Sequence, residues 1–127
     1  MAKVIGSVDV RGRPVVRIEG KDDSILVVVD TGFNGDLMLT REASRLLGVD
    51  PGHAKTDVEL GDGRRAAVYE ARVTIKWLGS DRQVRILVAD DWKTTGDAPV
   101  GLLGTALLSP HLLIIDFSAG TVEISNP

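Results

Sequence analysis

Residues 25–40 read ILVVVDTGFNGDLMLT, and the fold turns on how the middle of that stretch is understood. Ile25 to Val29 is an unbroken apolar run, the pattern of a buried strand. It ends on a carboxylate, Asp30, followed at once by Thr31 and Gly32. Taken alone, Asp-Thr-Gly is a tight turn with Asp as the turn residue. A sharper reading is open beside it. An acid at the end of a core strand sits where burial makes ionisation costly unless something compensates. Thr31 offers a hydroxyl for a hydrogen bond, and Gly32 permits a positive φ or the close approach of another backbone. Such an acid is rigid, partly buried and approachable.

Outward from this stretch the signals are mostly β. The segment ARVTIKWLG alternates, with Val73, Ile75 and Trp77 on one face and Arg72, Thr74 and Lys76 on the other. RQVRILVAD repeats the pattern with Val84, Ile86 and Val88, and Gly79 to Arg82 is the expected hairpin turn between them. Near the start, VIGSVDV and VVRIEG flank an RGRP turn, and LLIIDF and TVEIS near the end flank a Ser-Ala-Gly turn. Helix signals are few. Thr40 is a candidate N-cap for TREASRLLGV, with Ala43, Leu46 and Leu47 on one face and Gly48 as the stop. A second short helix is expected from Thr105 to Leu108, halted by Ser109-Pro110. The class is all-β: a small closed barrel, with a sandwich as the other reading, carrying one or two short helices.

The bulk composition narrows the function. With 127 residues, of which 43% are hydrophobic and 26% charged, the chain is expected to form one globular domain over residues 1–127. A net charge of −3 and scattered arginines argue against nucleic acid as the main partner. There is no cysteine, which excludes disulfides, thiolate catalysis and cysteine metal sites. No segment approaches the roughly 20 apolar residues of a membrane span, and the start has no apolar stretch of signal-peptide length. A cytoplasmic protein without a membrane partner is the expectation.

Two further features stand in order behind Asp-Thr-Gly. TDVELGDGRRAAVYEARV has β-prone arms around Gly61, Asp62 and Gly63, a hairpin with a glycine-rich tip; Leu102, Leu103 and Gly104 then lead into the short helix. In this order the chain resembles the retropepsin-like aspartic proteases, and most of all their prokaryotic single-domain members, over roughly Val4 to Ile124. The resemblance implies a barrel of the acid-protease type and an aspartic endopeptidase without metal or cofactor.

It also implies roles. Aspartic proteolysis needs two carboxylates sharing one proton, one activating a water and the other polarising the scissile carbonyl. The chain has one Asp-Thr-Gly, and Asp116, Asp90 and Asp91 fit poorly as internal partners, so the second acid is expected to be Asp30 of another copy in a homodimer. Thr31 would bind across the junction and Gly32 would admit the approaching main chain. Leu102, Leu103 and Gly104 would pack behind the catalytic loop. Gly61, Asp62 and Gly63 would cover a peptide or protein substrate. The N-terminal residues and TVEIS would build the intersubunit sheet, as in retroviral members.

Three departures from the family pattern bear on specificity. Phe33 stands where a small residue is usual, so its ring is expected to intrude on the substrate cleft; with that ring blocking turnover, the chain would be a silent dimeric peptide-binding module. Asn34 replaces an acid and keeps only hydrogen-bonding capacity toward substrate. Thr105 stands in place of the usual arginine or asparagine, removing a buried ionic link. Among the remaining residues, Asp36 reads as a solvated loop charge and Trp77 as core, while Trp92 suits cleft or core equally. Arg64 and Arg65 read as a solvated pair. His53 and His111 are isolated, a poor basis for a metal site, and no serine lies in a nucleophile elbow that would complete a triad with His111. The Gly-Asp-Gly lacks the Lys-Ser/Thr of a phosphate loop.

Overall fold

Among the described residues, period-two patterning becomes ten strands: β1 (Lys3–Val8), β2 (Pro14–Glu19), β3 (Ser24–Val29), β4 (Leu37–Leu39), β5 (Lys55–Glu59), β6 (Arg65–Trp77), β7 (Ser80–Val88), β8 (Gly101–Leu103), β9 (Leu112–Asp116) and β10 (Thr121–Ser125). Two short helices join them, α1 (Arg41–Leu46) and α2 (Thr105–Leu108). The structure is a computed structural model that describes residues 2–20, 23–49, 55–59, 63, 65–89 and 98–127. Trp92, His53 and Arg64 lie outside the described residues.

The strands form one sheet in the order β5-β6-β7-β4-β8-β3-β2-β1-β10-β9. Glu19 of β2 also pairs with Lys76 of β6, and this contact closes β6, β7, β4, β8, β3 and β2 into a six-stranded barrel. Closure gives each barrel strand an inner face, and the alternating residues fill it. Ile18, Val27, Leu39, Ile75, Ile86 and Leu103 are all at or below 1% exposed. Each such side chain removed from water contributes about 1.5–3 kcal/mol before the entropy of ordering the chain is set against it.

Local chemistry sets the boundaries. Thr40 caps α1, its Oγ1 accepting the Ala43 N–H at 3.1 Å. The helix buries Ala43 and Ser44, while Leu46, expected on the inner face, is half-exposed because the helix ends there and only Leu47 turns inward. The β6–β7 hairpin is tighter than the sequence suggests. Trp77 pairs with Ser80, leaving Leu78 and Gly79 as the two turn residues, at φ 50° and 83°. A two-residue turn of this twist needs positive φ at both positions.

The termini also differ from expectation. TVEIS is β10, and both of its edges are used within the chain: β1 pairs along one and β9 along the other. The sheet therefore ends on β9, whose outer edge has no strand partner among the described residues. Leu112 and Ile114 on β9 are each 48% exposed. Ile5 of β1 lies on the same face, since Ile5 and Ile114 both stand opposite Glu123.

Candidate active site

β3 and β8 run parallel, with Val28 opposite Leu102 and Val29 opposite Leu103. Just past the end of β3, the Asp30 N–H donates to the Leu103 carbonyl at 2.9 Å. The main chain of the acid is thus pinned as it leaves the barrel. Its carboxylate then organises the turn: Oδ1 accepts the Gly32 N–H at 2.8 Å, and the Asp30 carbonyl accepts the Phe33 N–H at 3.2 Å. Asp30 is half-buried, while Thr31, Gly32 and Asn34 are exposed. The turn reading of Asp-Thr-Gly and the placed-acid reading thus describe the same atoms.

The loop is held from behind by the start of α2. The first N–H groups of a helix have no partner inside it. Here Gly104, Thr105 and Ala106 donate theirs to the carbonyls of Asp36, Phe33 and Gly35 at 2.9, 2.8 and 3.2 Å. Thr105 Oγ1 adds a bond to the Phe33 carbonyl at 3.3 Å. At Gly104 a Cβ would lie 2.2 Å from the Gly35 oxygen and 2.6 Å from the Phe33 oxygen, so only glycine permits this approach. Leu103 is fully buried beneath the loop.

β5 and β6 pair from Lys55–Tyr69 to Glu59–Arg65, an antiparallel hairpin. Of its expected tip, Gly63 is exposed and left-handed at φ 85°, while Gly61 and Asp62 lie outside the described residues. Among the described residues no cluster of His, Asp or Glu is arranged to hold a metal ion.

This architecture matches solved structures. A retropepsin-like aspartic protease from Rickettsia conorii aligns over 96% of this chain and 89% of its own, with a TM-score of 0.65 and 21% sequence identity. EIAV protease, solved with the inhibitor HBY-793, aligns over 79% of this chain and 88% of its own, with a TM-score of 0.54 and 29% identity. The fold is retropepsin-like. No family model and no curated protein matches the chain in sequence.

Within the retropepsin-like fold, several residues behave differently from their sequence reading. Phe33 does not project outward. Its ring is 6% exposed and turned under the loop, against Met38, Val68 and Leu87. Asp36 is not a solvated charge: its Oδ2 accepts the Arg85 N–H at 2.9 Å and its carbonyl accepts the Gly104 N–H. It joins the loop to β7 on one side and to α2 on the other. Arg85 in turn grips Glu70 of β6 with two bonds, Nε to Oε1 at 2.6 Å and Nη2 to Oε2 at 3.0 Å. The Arg85 hydrogen bond holds the Glu70 carboxyl below its usual range, and the same bond raises the Arg85 guanidinium. Sequence gave little warning of this chain of contacts, because Asp36, Glu70 and Arg85 carry no motif.

His111 is used structurally. The Trp77 indole N–H can only donate, so the 3.1 Å contact to Nε2 makes that nitrogen the acceptor and leaves Nδ1 to donate to Asn126 Oδ1 at 2.9 Å. Both ring nitrogens are occupied, which leaves no place for this histidine in a triad. Trp77 is core as expected, at 3% exposure. No helix among the described residues is long and apolar enough to cross a membrane.

Proposed function

We propose that the chain is an aspartic endopeptidase that hydrolyses peptide bonds as a homodimer, with Asp30 of each copy forming the catalytic pair. One observation carries this reading. In a fold shared with aspartic proteases, the single Asp-Thr-Gly stands where β3 meets β8, its acid pinned by main-chain bonds and half open to solvent. Two such carboxylates held side by side cannot both ionise, so one proton is shared between them. The ionised member takes a proton from a water lying between the acids. The protonated member donates to the scissile carbonyl, the water oxygen attacks the carbonyl carbon, and the proton returns to the leaving amine. Thr31 and Gly32, both exposed, would meet their counterparts across the junction, and Asn34, also exposed, would hydrogen-bond a substrate main chain. Gly61, Asp62 and Gly63 would close over the peptide.

The dimer needs a surface, and β9 supplies a suitable one. A terminal strand with an open edge and exposed apolar side chains is a template for another strand. A second copy pairing β9 to β9 about a twofold axis would bury Leu112 and Ile114. The silent binding-module reading loses its motive, since the Phe33 ring is turned inward.

The test is a peptide-library digest with the wild-type chain and Asp30→Asn, run beside sedimentation equilibrium. Expected are a species of twice the 13.6 kDa chain for both proteins and cleavage by the wild type alone. A strict monomer at high concentration, or cleavage that survives the substitution, overturns the proposal.

A further inference from the structure

From Phe33 to Asp36 the loop behind Asp30 is bonded through every carbonyl but one. Those of Phe33, Gly35 and Asp36 accept the Thr105, Ala106 and Gly104 N–H groups at 2.8, 3.2 and 2.9 Å. The peptide group between Asn34 and Gly35 is the exception. Among the described residues neither its oxygen nor its N–H has a partner. The Asn34 side chain is exposed and bonds to none of them either. Main-chain groups left in this way are served by solvent.

Asparagine is one of the chemically labile residues, and its amide beside an unhindered following N–H is a reactive pair. Once a base has taken its proton, the Gly35 nitrogen attacks Asn34 Cγ. The N–Cγ bond forms, the Cγ–Nδ2 bond breaks and ammonia leaves. Water then opens the cyclic imide. Attack at Cγ restores the main chain with aspartate at position 34; attack at the main-chain carbonyl gives isoaspartate, in which the chain runs through the side chain. In sum, one water enters and one ammonia leaves. Glycine hinders the step least, because it has no Cβ. The fold fixes it there: a Cβ on Gly35 would lie 2.5 Å from Phe33 Cζ and 2.9 Å from its Cε1. The chain has one other asparagine, Asn126, in opposite circumstances. Its Oδ1 is held by His111 at 2.9 Å, and Pro127 after it has no N–H with which to attack.

We propose that Asn34 is a self-modification site, converted by water and the Gly35 nitrogen to aspartate and isoaspartate on the loop that carries Asp30. The modification stands apart from the peptidase reading; only its consequence for cleavage rests on that reading. Either product adds one negative charge to a chain of net charge −3. Isoaspartate also adds a carbon to the main chain between the Phe33 and Gly35 carbonyls, both of which α2 holds. Loop and helix then no longer match, and cleavage declines as the protein ages.

The folded chain, its Asn34→Gln variant and a synthetic peptide of residues 30–37 are incubated at mildly alkaline pH. Peptide mapping by mass spectrometry follows both asparagines. Expected in the wild type are conversion of Asn34, release of ammonia and a shift of one negative charge on isoelectric focusing, with none of these in Asn34→Gln and the Asn126 amide intact. A wild-type chain that keeps its Asn34 amide overturns the proposal; the free peptide, losing its own, shows that the fold protects the pair. Equal conversion at Asn126 also overturns it, because hydrolysis would then need no neighbouring nitrogen. Cleavage is followed on the same samples, each against its own starting rate. The wild type is expected to lose it in step with isoaspartate and Asn34→Gln to hold it; equal decay in both overturns the link to activity. If no sample cleaves any peptide, the peptidase reading falls, and the mapping still decides the modification.

Discussion

Replacing Gly104 by alanine adds one methyl group where α2 meets the Asp-Thr-Gly loop. The new carbon would stand 2.2 Å from the Gly35 oxygen, 2.6 Å from the Phe33 oxygen and 2.7 Å from the Phe33 Cδ2, where ordinary contact begins at 3.4 Å. Relief requires a movement of more than an ångström, and no rotamer change supplies it, because two of the three atoms are main-chain oxygens. Those oxygens accept the Thr105 and Ala106 N–H groups, so separating loop from helix weakens both bonds together. Overpacking costs about 1–3 kcal/mol and each of the two weakened hydrogen bonds about 1 kcal/mol, for a total of about 3–5 kcal/mol. In a chain of this size that lowers the melting temperature by roughly 10 °C or more. Urea denaturation followed by circular dichroism measures it, with Gly120→Ala as the comparison. Gly120 sits at φ 71° with nothing within 4 Å of an added Cβ, so it carries only the left-handed backbone cost, about 1–2 kcal/mol. Peptide cleavage should fall further in Gly104→Ala than in Gly120→Ala at equal folded fraction, because only the former displaces Asp30's loop. Equal destabilisation by the two substitutions would refute the close-contact reasoning.

Two further substitutions probe the contacts that sequence did not announce. Asp36→Ala leaves the Arg85 N–H without its acceptor and is expected to cost about 1–3 kcal/mol, whereas Asp36→Asn keeps an oxygen there and should cost less than half as much; parallel urea titrations that give the same loss for both would exclude the hydrogen bond as the cause. Glu70→Gln tests the ion pair with Arg85. The Glu70 pKa is depressed in the folded state, so its contribution is present above the ordinary glutamate value of about 4.3 and is lost as the pH falls through the folded value. The side chains are 31% and 40% exposed, which limits the pair to about 0.5–1 kcal/mol. The gap between wild type and Glu70→Gln should therefore be measurable at pH 7 and shrink toward pH 3; a gap that grows on acidification would refute the assignment.

The local rules were legible in the chain itself. Alternation of Val73, Ile75 and Trp77 against Arg72, Thr74 and Lys76 settled which face of β6 enters the core, because a strand's side chains have a period of two. Thr40 announced the start of α1, and the apolar run to Val29 announced the strand that delivers Asp30. These depend on neighbours a few residues away. What the sequence left undecided depended on residues far apart in the chain. Phe33 turns inward because Met38, Val68 and Leu87, from three different strands, converge on one face. Asp36 is bonded because Arg85, 49 positions on, is brought beside it by the parallel pairing of β4 and β7. TVEIS lies inside the sheet because β9 folds back along its outer edge. A composition of turns and strands fixes which side chains can face a core; only closure of the barrel decides which of them meet.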